Sequence, residues 1–533
     1  MTDDHALSRW KALTAMVTAG GIVQLPTGAI VVALPAIHNE FNASIADLQW
    51  TVTAFFIPQA ALLIACGRLA DIFGRRRAFG AGAILFAAGS GMATAAEGTG
   101  LLIAGMAVAG VGAALLLPAS LAIITNVFTG KRRGLAIGMW GAATELISGV
   151  GVLVGGVLTG EFDWRWIFVV CLAVTAVMAL LTVLGVPESN DPTVSRTVDI
   201  AGVVLSAGGL TALTLGLIQG PTWGWSSATV VALLVGGVVA FAALGVAEVR
   251  SRHPLFDFSF FRRRNFTGST IVLFVIDFSF GALLFFLPTY FQEILGYSPT
   301  EAGVLLLPLT GLMVIGSPLG GRVAAQIGPR VPIVAGLGLM TVAIWWISAL
   351  SLETGYAELW APTAIMGFGL GFALTPMNLA ALNAVSRDHA GAASGILVTL
   401  SGLGSTLGVA VTGALFQELQ TNRTVALAGQ AGVQITKGQA AQLDGVLSGA
   451  AGATTTLNQI AGAQAPAVKS AVRDAFVSAV GTSFKVSAVL VAAGVVLALI
   501  LMRKEPAVDG PVAHPVLPPP TRPAPRTGVA QGG

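Results

Sequence analysis

Gly67-Arg68-Leu69-Ala70-Asp71-Ile72-Phe73-Gly74-Arg75-Arg76-Arg77 decides how this chain is read. The stretch lies between two apolar runs, and its pattern, G-R-x5-G-x-R, returns 254 residues later as Gly321-Arg322-Val323-Ala324-Ala325-Gln326-Ile327-Gly328-Pro329-Arg330. Two further landmarks recur in the same order. Leu34-Pro35 is echoed by Leu287-Pro288, and Pro118-Ala-Ser-Leu-Ala by Pro376-Met-Asn-Leu-Ala. Three ordered matches imply an internal duplication. In these loops glycine permits a tight turn and a close backbone approach, and arginine suits the level of anionic headgroups. Asp71 can pair with its basic neighbours or complement a helix N-terminus. Gly67, Arg68, Asp71, Gly74, Arg75 and Arg76, with Gly321, Arg322, Gly328 and Arg330, are therefore the candidate conformational-switch residues.

Outward from these loops the chain is overwhelmingly apolar. Of 533 residues, 55% are hydrophobic and only 10% charged, against about 25% charged in a soluble domain. Mean hydropathy is +0.82. At about 20 apolar residues per spanning helix, the chain holds enough for roughly 14 to 15 spans. Long continuous runs exclude a β-barrel, whose strands alternate. The expected class is an all-α polytopic membrane protein. A net charge of +3, with basic residues in short clusters between apolar runs, argues against nucleic-acid binding. Cys66 and Cys171 both lie in apolar runs, so no disulfide framework is expected. His5, His38, His253, His389 and His514 lie in or beside loops and tails, and no metal site or cofactor is expected. The first apolar run, from about Leu13, is too long for a signal-peptide core and reads as a retained helix.

Fourteen spans are expected, near residues 12–35, 48–69, 78–97, 101–126, 135–160, 166–186, 199–219, 228–249, 266–290, 300–321, 331–351, 358–384, 391–416 and 481–502. All basic residues except Arg165, Arg423, Lys437, Lys469, Arg473 and Lys485 fall at one set of ends. The positive-inside rule then places both termini in the cytoplasm. The repeat groups residues 1–186 and 251–502 as two six-helix halves, with 187–250 as a linker plus an inserted helix pair. Residues 417–480 read as a long external loop, either irregular or carrying short amphipathic helices. Residues 503–533, with their Pro-rich run, read as a disordered cytoplasmic tail. Duplicated halves are a signature of secondary transporters, with the substrate site near the midplane between them.

The chain resembles the major facilitator superfamily, and within it the 14-helix drug:proton antiporters. The resemblance rests on Gly67–Arg77, on Ile30-Val31-Val32-Ala33-Leu34-Pro35, on Trp164-Arg165-Trp166-Ile167-Phe168 and on Phe291-Gln292-Glu293 with Gly296-Tyr297-Ser298. It implies export of hydrophobic or cationic small molecules by alternating access, in exchange for protons, across the plasma membrane. It also implies that the Asp71 loop helps to switch between the two facing states. Three positions depart from the group. Pro26 stands where an Asp is usual in helix 1. Met106 and Gly110 bound a helix 4 stretch that lacks the usual Arg and Gln, and Val152 replaces a proline in helix 5.

Those departures move attention to the acids that remain inside the spans, where a central Asp costs about 2.5–3.5 kcal/mol on insertion scales. Asp277 lies mid-helix with Thr270, Gly281 and Pro288 on a similar face. Glu145 lies mid-helix among Gly138, Gly141, Ala142, Ser148, Gly149, Val152 and Gly156, a small-residue stripe that suits close packing. A carboxylate held out of water favours its neutral form, so both acids are candidates for proton coupling or substrate binding. Interhelical bonding is the alternative role. Gln24, Gln59, Asn378 and Asn383 are polar candidates near the midplane. Phe55, Phe56, Trp140, Phe278, Phe372 and Trp345 offer apolar walls. Pro26, Pro58, Pro118, Pro308, Pro318 and Pro376 interrupt spans and suit helices that rock. The expected partners are a small-molecule substrate, protons and the lipid bilayer, and a monomer is expected. No G-x4-G-K-[ST] loop exists to use ATP, and no His, Asp or Ser cluster points to an enzyme. A metabolite uniporter or importer and a non-transporting scaffold are the competing readings.

Overall fold

The computed structural model describes residues 2–128, 130–189, 200–250, 258–385, 390–443, 447 and 453–502. Among these residues every regular element is helical. In a bilayer a helix satisfies its own backbone, which is why apolar runs of this length take that form. The expected tail 503–533, and residues 190–198 of the expected linker, lie outside the described residues.

The helices are α1 (Thr2–Phe41), α2 (Ile45–Phe73), α3 (Arg75–Thr94), α4 (Thr99–Val127), α5 (Gly130–Glu161), α6 (Trp166–Gly185), α7 (Ile200–Trp223), α8 (Ala228–Arg250), α9 (Arg264–Glu293), α10 (Pro299–Leu305), α11 (Leu307–Ile327), α12 (Arg330–Ile347), α13 (Tyr356–Asn383), α14 (Ala390–Gln430), α15 (Lys437–Gln442), α16 (Ala453–Ala461) and α17 (Ala465–Leu501). Eleven spans among the described residues are long and apolar enough to cross a membrane, or twelve if the two segments of α2 count as one. α3 falls short because it opens on three arginines and is rich in glycine. Only Val150–Glu161 of α5 registers as a shorter apolar helix. The expected span at 300–321 is found as Pro299–Ile327, with a one-residue turn at Leu306 between α10 and α11 and Pro308 in the first turn of α11, where its missing N–H is tolerated.

Packing repeats along the chain. α1 lies on α5 and α6, α2 on α4, and α3 on α4 and α6. In the same order, α9 lies on α14 and α17, α11 on α13, and α12 on α13 and α17. The closest approaches repeat as well. A Cβ on Gly112 would lie 2.8 Å from the Gly82 carbonyl at the α3–α4 contact. At the α12–α13 contact a Cβ on Gly336 would lie 2.5 Å from the Gly369 carbonyl. α7 packs on α8 and touches both α2 and α14, while α8 leaves Val231, Val235, Val238, Val239 and Val246 exposed.

The expected external loop is largely helical. α14 runs past residue 416 to Gln430, and α17 already begins at Ala465. At 1.5 Å per residue these helices reach roughly 60 and 55 Å, about twice the hydrocarbon thickness. Their projecting ends, with α15 and α16, enclose a small core of Ala428, Ile435, Ala440, Leu443, Leu457, Ala461, Ala465, Val468 and Val472. Capping boxes start α2 (Ser44, Asp47), α10 (Ser298, Glu301) and α15 (Thr436, Gln439) on this same side of the bundle. The opposite side carries both arginine loops.

Candidate functional site

Asp277 lies at the close packing of α9 against α14. A Cβ on Gly404 would sit 3.2 Å from the Asp277 Cβ and 2.8 Å from the Phe274 carbonyl, and one on Gly408 would sit 2.2 Å from the Phe278 carbonyl. Gly281, one turn beyond Asp277, approaches the Ser405 carbonyl in the same way, at 3.2 Å. Only small residues on α14 allow this approach. The Asp277 Oδ2 atom is shielded from solvent, and the Phe274 and Phe278 rings on the same helix pack with centroids 6.3 Å apart. Asp277 is half-buried at the α9–α14 contact.

The other face of α14 meets α2. A Cβ on Gly402 would lie 2.9 Å from Ala60, the neighbour of Gln59, and Gln59 is buried. Gln24 is half-buried in α1, and its carbonyl accepts a 2.7 Å hydrogen bond from Thr27 Oγ1. Around it, α1 offers Leu25 and Ala29 to Gly151 and Gly155 of α5. Asn378 is half-buried in α13. Asn383 differs from its expected midplane position: it is the last residue of α13, and it is exposed. Its apolar surroundings in sequence continue the hydropathy run past the point where the helix ends. The backbone of Glu145 lies in α5, while its side chain is outside the described residues. Trp140, from the same helix, donates to Ser120 Oγ at 3.0 Å. Trp345 is exposed and builds no interior wall, whereas Phe55 and Phe278 are buried. Pro26, Met106 and Val152 are all buried, so apolar atoms fill those positions.

The repeated loops share a backbone solution. Gly74 and Gly328 both have positive φ, +109° and +87°, a region that glycine enters freely. A Cβ on Gly67 would lie 3.3 Å from Pro118 of α4, and one on Gly321 would lie 3.2 Å from Thr375 of α13. In the first loop Arg75 Nη2 lies 2.9 Å from Asp71 Oδ1, and Nη1 reaches the Ala122 carbonyl at 3.4 Å. Glu188, beyond α6, accepts from the Arg76 N–H at 3.1 Å and lies 3.6 Å from Arg77 Nε. It complements an α3 N-terminus whose N-cap, Gly74, brings no side chain. Sequence reasoning missed Glu188, which stands more than a hundred residues from the loop it completes. In the second loop Ala325 takes the place of Asp71. There Arg330 Nη2 donates to the Leu499 carbonyl at 2.6 Å, near the end of α17, and Arg322 is exposed.

On the opposite side, Glu40 at the end of α1 accepts from Arg165 Nη2 at 2.7 Å and from Trp164 Nε1 at 2.6 Å. Arg165 also reaches the Ala96 carbonyl and stacks 4.4 Å over the Trp164 ring. Hydrogen bonding to Glu40 holds the Arg165 guanidinium above its ordinary range. Contacts between α1–α6 and α9–α14 are also made on this side. Gln292 Nε2 donates to the Val32 carbonyl at 2.9 Å, and Thr300 Oγ1 to the Gly156 carbonyl at 3.2 Å.

The sequence profile of the Major Facilitator Superfamily matches residues 16–409. The chain belongs to that superfamily. It is therefore a multi-pass membrane transporter that moves small molecules, and not an enzyme. It is 28% identical over 510 residues to the tetracenomycin C resistance and export protein of Streptomyces glaucescens, covering 95% of this chain and 94% of that one. It is 34% identical over 449 residues to a puromycin resistance protein of Streptomyces alboniger, covering 83% and 87%. It is 31% identical over 412 residues to the multidrug resistance protein Stp of Mycobacterium tuberculosis, covering 77% and 76%. In fold it is similar to a bacterial homologue of the lysosomal transporter Spinster, solved inward-facing and unoccupied. The TM-score is 0.62 at 18% identity, over 93% of this transporter and 98% of that chain.

Proposed function

We propose that this transporter exports hydrophobic or cationic small molecules of the antibiotic class across the plasma membrane, exchanging them for protons. α1–α6 and α9–α17 act as two halves that tilt about a central pocket, α7 and α8 form the inserted pair, both termini are cytoplasmic, and the working unit is a monomer. The observation that carries this reading is Asp277, an acid at the close contact of α9 with α14, in a chain whose relatives are named for antibiotic resistance and export. An intramembrane acid that persists despite its cost marks an ion or substrate path. Asp277 binds a proton in the state open to the outside and gives it up in the state open to the cytoplasm. Substrate charge and proton compete for the same carboxylate. Glu145 and the polar groups Gln24, Gln59 and Asn378 are further contacts along the path, and Asn383 stands at its cytoplasmic end. The arginine loops are the switch that locks the cytoplasmic ends.

A pH gradient imposed on inverted membrane vesicles tests this reading, with ethidium as the probe. Vesicles bearing the transporter should accumulate the dye when their interior is acidic, and control vesicles should not. The apolar replacements at Pro26, Met106 and Val152 favour a second reading, downhill uniport. Dye movement that follows its own gradient and ignores pH would select that one.

A further inference from the structure

The opposite corners of the duplicated fold are built alike but are not in the same state. Glu40 lies five residues after Pro35, and Glu293 lies five residues after Pro288. At the first corner an arginine from the connection into α6 closes on the acid: Arg165 and Glu40 are 2.7 Å apart. At the second corner the matching arginine comes from α17, the counterpart of α6. Arg473 Nη2 donates to the carbonyl of Ile294, the residue after Glu293, at 3.1 Å. Arg473 thus reaches the backbone next to Glu293, but the two side chains form no ion pair among the described residues, and Glu293 Oε2 and Arg473 Nε are both buried without a hydrogen-bond partner. Buried polar atoms left without a partner are costly.

Gln292, the residue before Glu293, bonds across to α1. Its amide spans from α9 to the Val32 carbonyl of α1, tying the end of α9 to the other half of the molecule. Pro288 and Gly281 lie just before it in α9, and proline is where a helix can kink and re-aim its last turn. We propose that Glu293 and Arg473 form the outer latch of the second half. The two are parted while Gln292 holds Val32. They close into an ion pair like that of Glu40 and Arg165 when the α1–α9 contact opens to the outside. Opening the outer face then costs one cross-half hydrogen bond and gains one ion pair, so the pair sets how often the outer face opens. This inference rests on the tilting of two halves proposed above.

The test is a distance measurement between spin labels in lipid nanodiscs. Labels go on Phe162→Cys and Glu353→Cys, both exposed on the outer side of opposite halves, in a background without the buried Cys66 and Cys171. Wild type should populate a short and a long outer distance, with ethidium shifting the balance. Glu293→Gln and Arg473→Gln should each lower the long-distance population about fivefold, a coupling of ordinary size for a direct pair. The double variant should fall no further than either single one, and the exchange Glu293→Arg with Arg473→Glu should recover most of the loss. Each variant is checked for a monodisperse elution profile, so that misfolding is not read as closure. Additive losses, or an exchange no better than the double neutral variant, overturn the latch and leave tilting intact. A single fixed outer distance in the wild type with and without ethidium overturns both.

Discussion

In the first arginine loop Asp71 pairs with Arg75, and Glu188 returns from beyond α6 to meet Arg76 and Arg77. In the second, Ala325 removes the acid, and Arg330 is satisfied by a carbonyl near the end of α17. The glycine turns match, at Gly74 and Gly328, and so do the helices they join. Backbone geometry has been kept in both copies, while charge has been kept in one. A loop tied by ion pairs can be untied by a small displacement of the partners. A loop tied to a helix end moves with that helix. On the proposed reading, the first loop is the lock between states and the second a rigid corner.

Substitutions can break this comparison at several strengths. The largest effect is expected at Gly74→Ala. The residue has φ of +109°, and an added Cβ would lie 2.5 Å from Glu188 Oε1. Strain of about 1–3 kcal/mol is expected for the backbone alone, with Glu188 displaced besides. Thermal unfolding in detergent should show a clear loss of stability, and transport should fall at least tenfold. Gly328→Ala should cost about 1–3 kcal/mol, from the backbone alone; a loss in transport as large as that at Gly74 would mean that the two loops are not different in kind. Next comes Asp71→Asn. The Asp71–Arg75 pair is partly exposed, so its contribution to stability is about 1 kcal/mol or less. Transport should nevertheless fall several-fold, and adding Arg75→Gln should make matters no worse. The smallest effect is expected for Arg330→Gln, with a few tenths of a kcal/mol lost at a helix end and transport nearly unchanged.

The arginine loops were legible in the sequence because glycine and arginine act locally there. Gly74 and Gly328 are required by the turn itself, and the arginines by the membrane surface. Asp277 was legible because an acid in an apolar run is costly and stands out from every neighbour. The projecting ends of α14 and α17 were not legible. Hydropathy reports what tolerates lipid, and Gln417, Glu418 and Gln420 end the apolar run without ending the helix. Nor was the role of Glu188, since nothing near residue 188 points back to residue 76. The Gly82–Gly112 and Gly336–Gly369 contacts were present as letters, but with 67 glycines in the chain no pair stands out until two helices are seen to touch there.

The central claim is that Asp277 exchanges a proton for substrate, and one variant reads it most directly. Asp277→Asn keeps the shape of the side chain and removes its charge. In inverted vesicles with an acidic interior, it should lose gradient-driven ethidium accumulation by more than tenfold while still exchanging dye across the membrane when no gradient is imposed. Accumulation at the wild-type level in that variant would contradict the account.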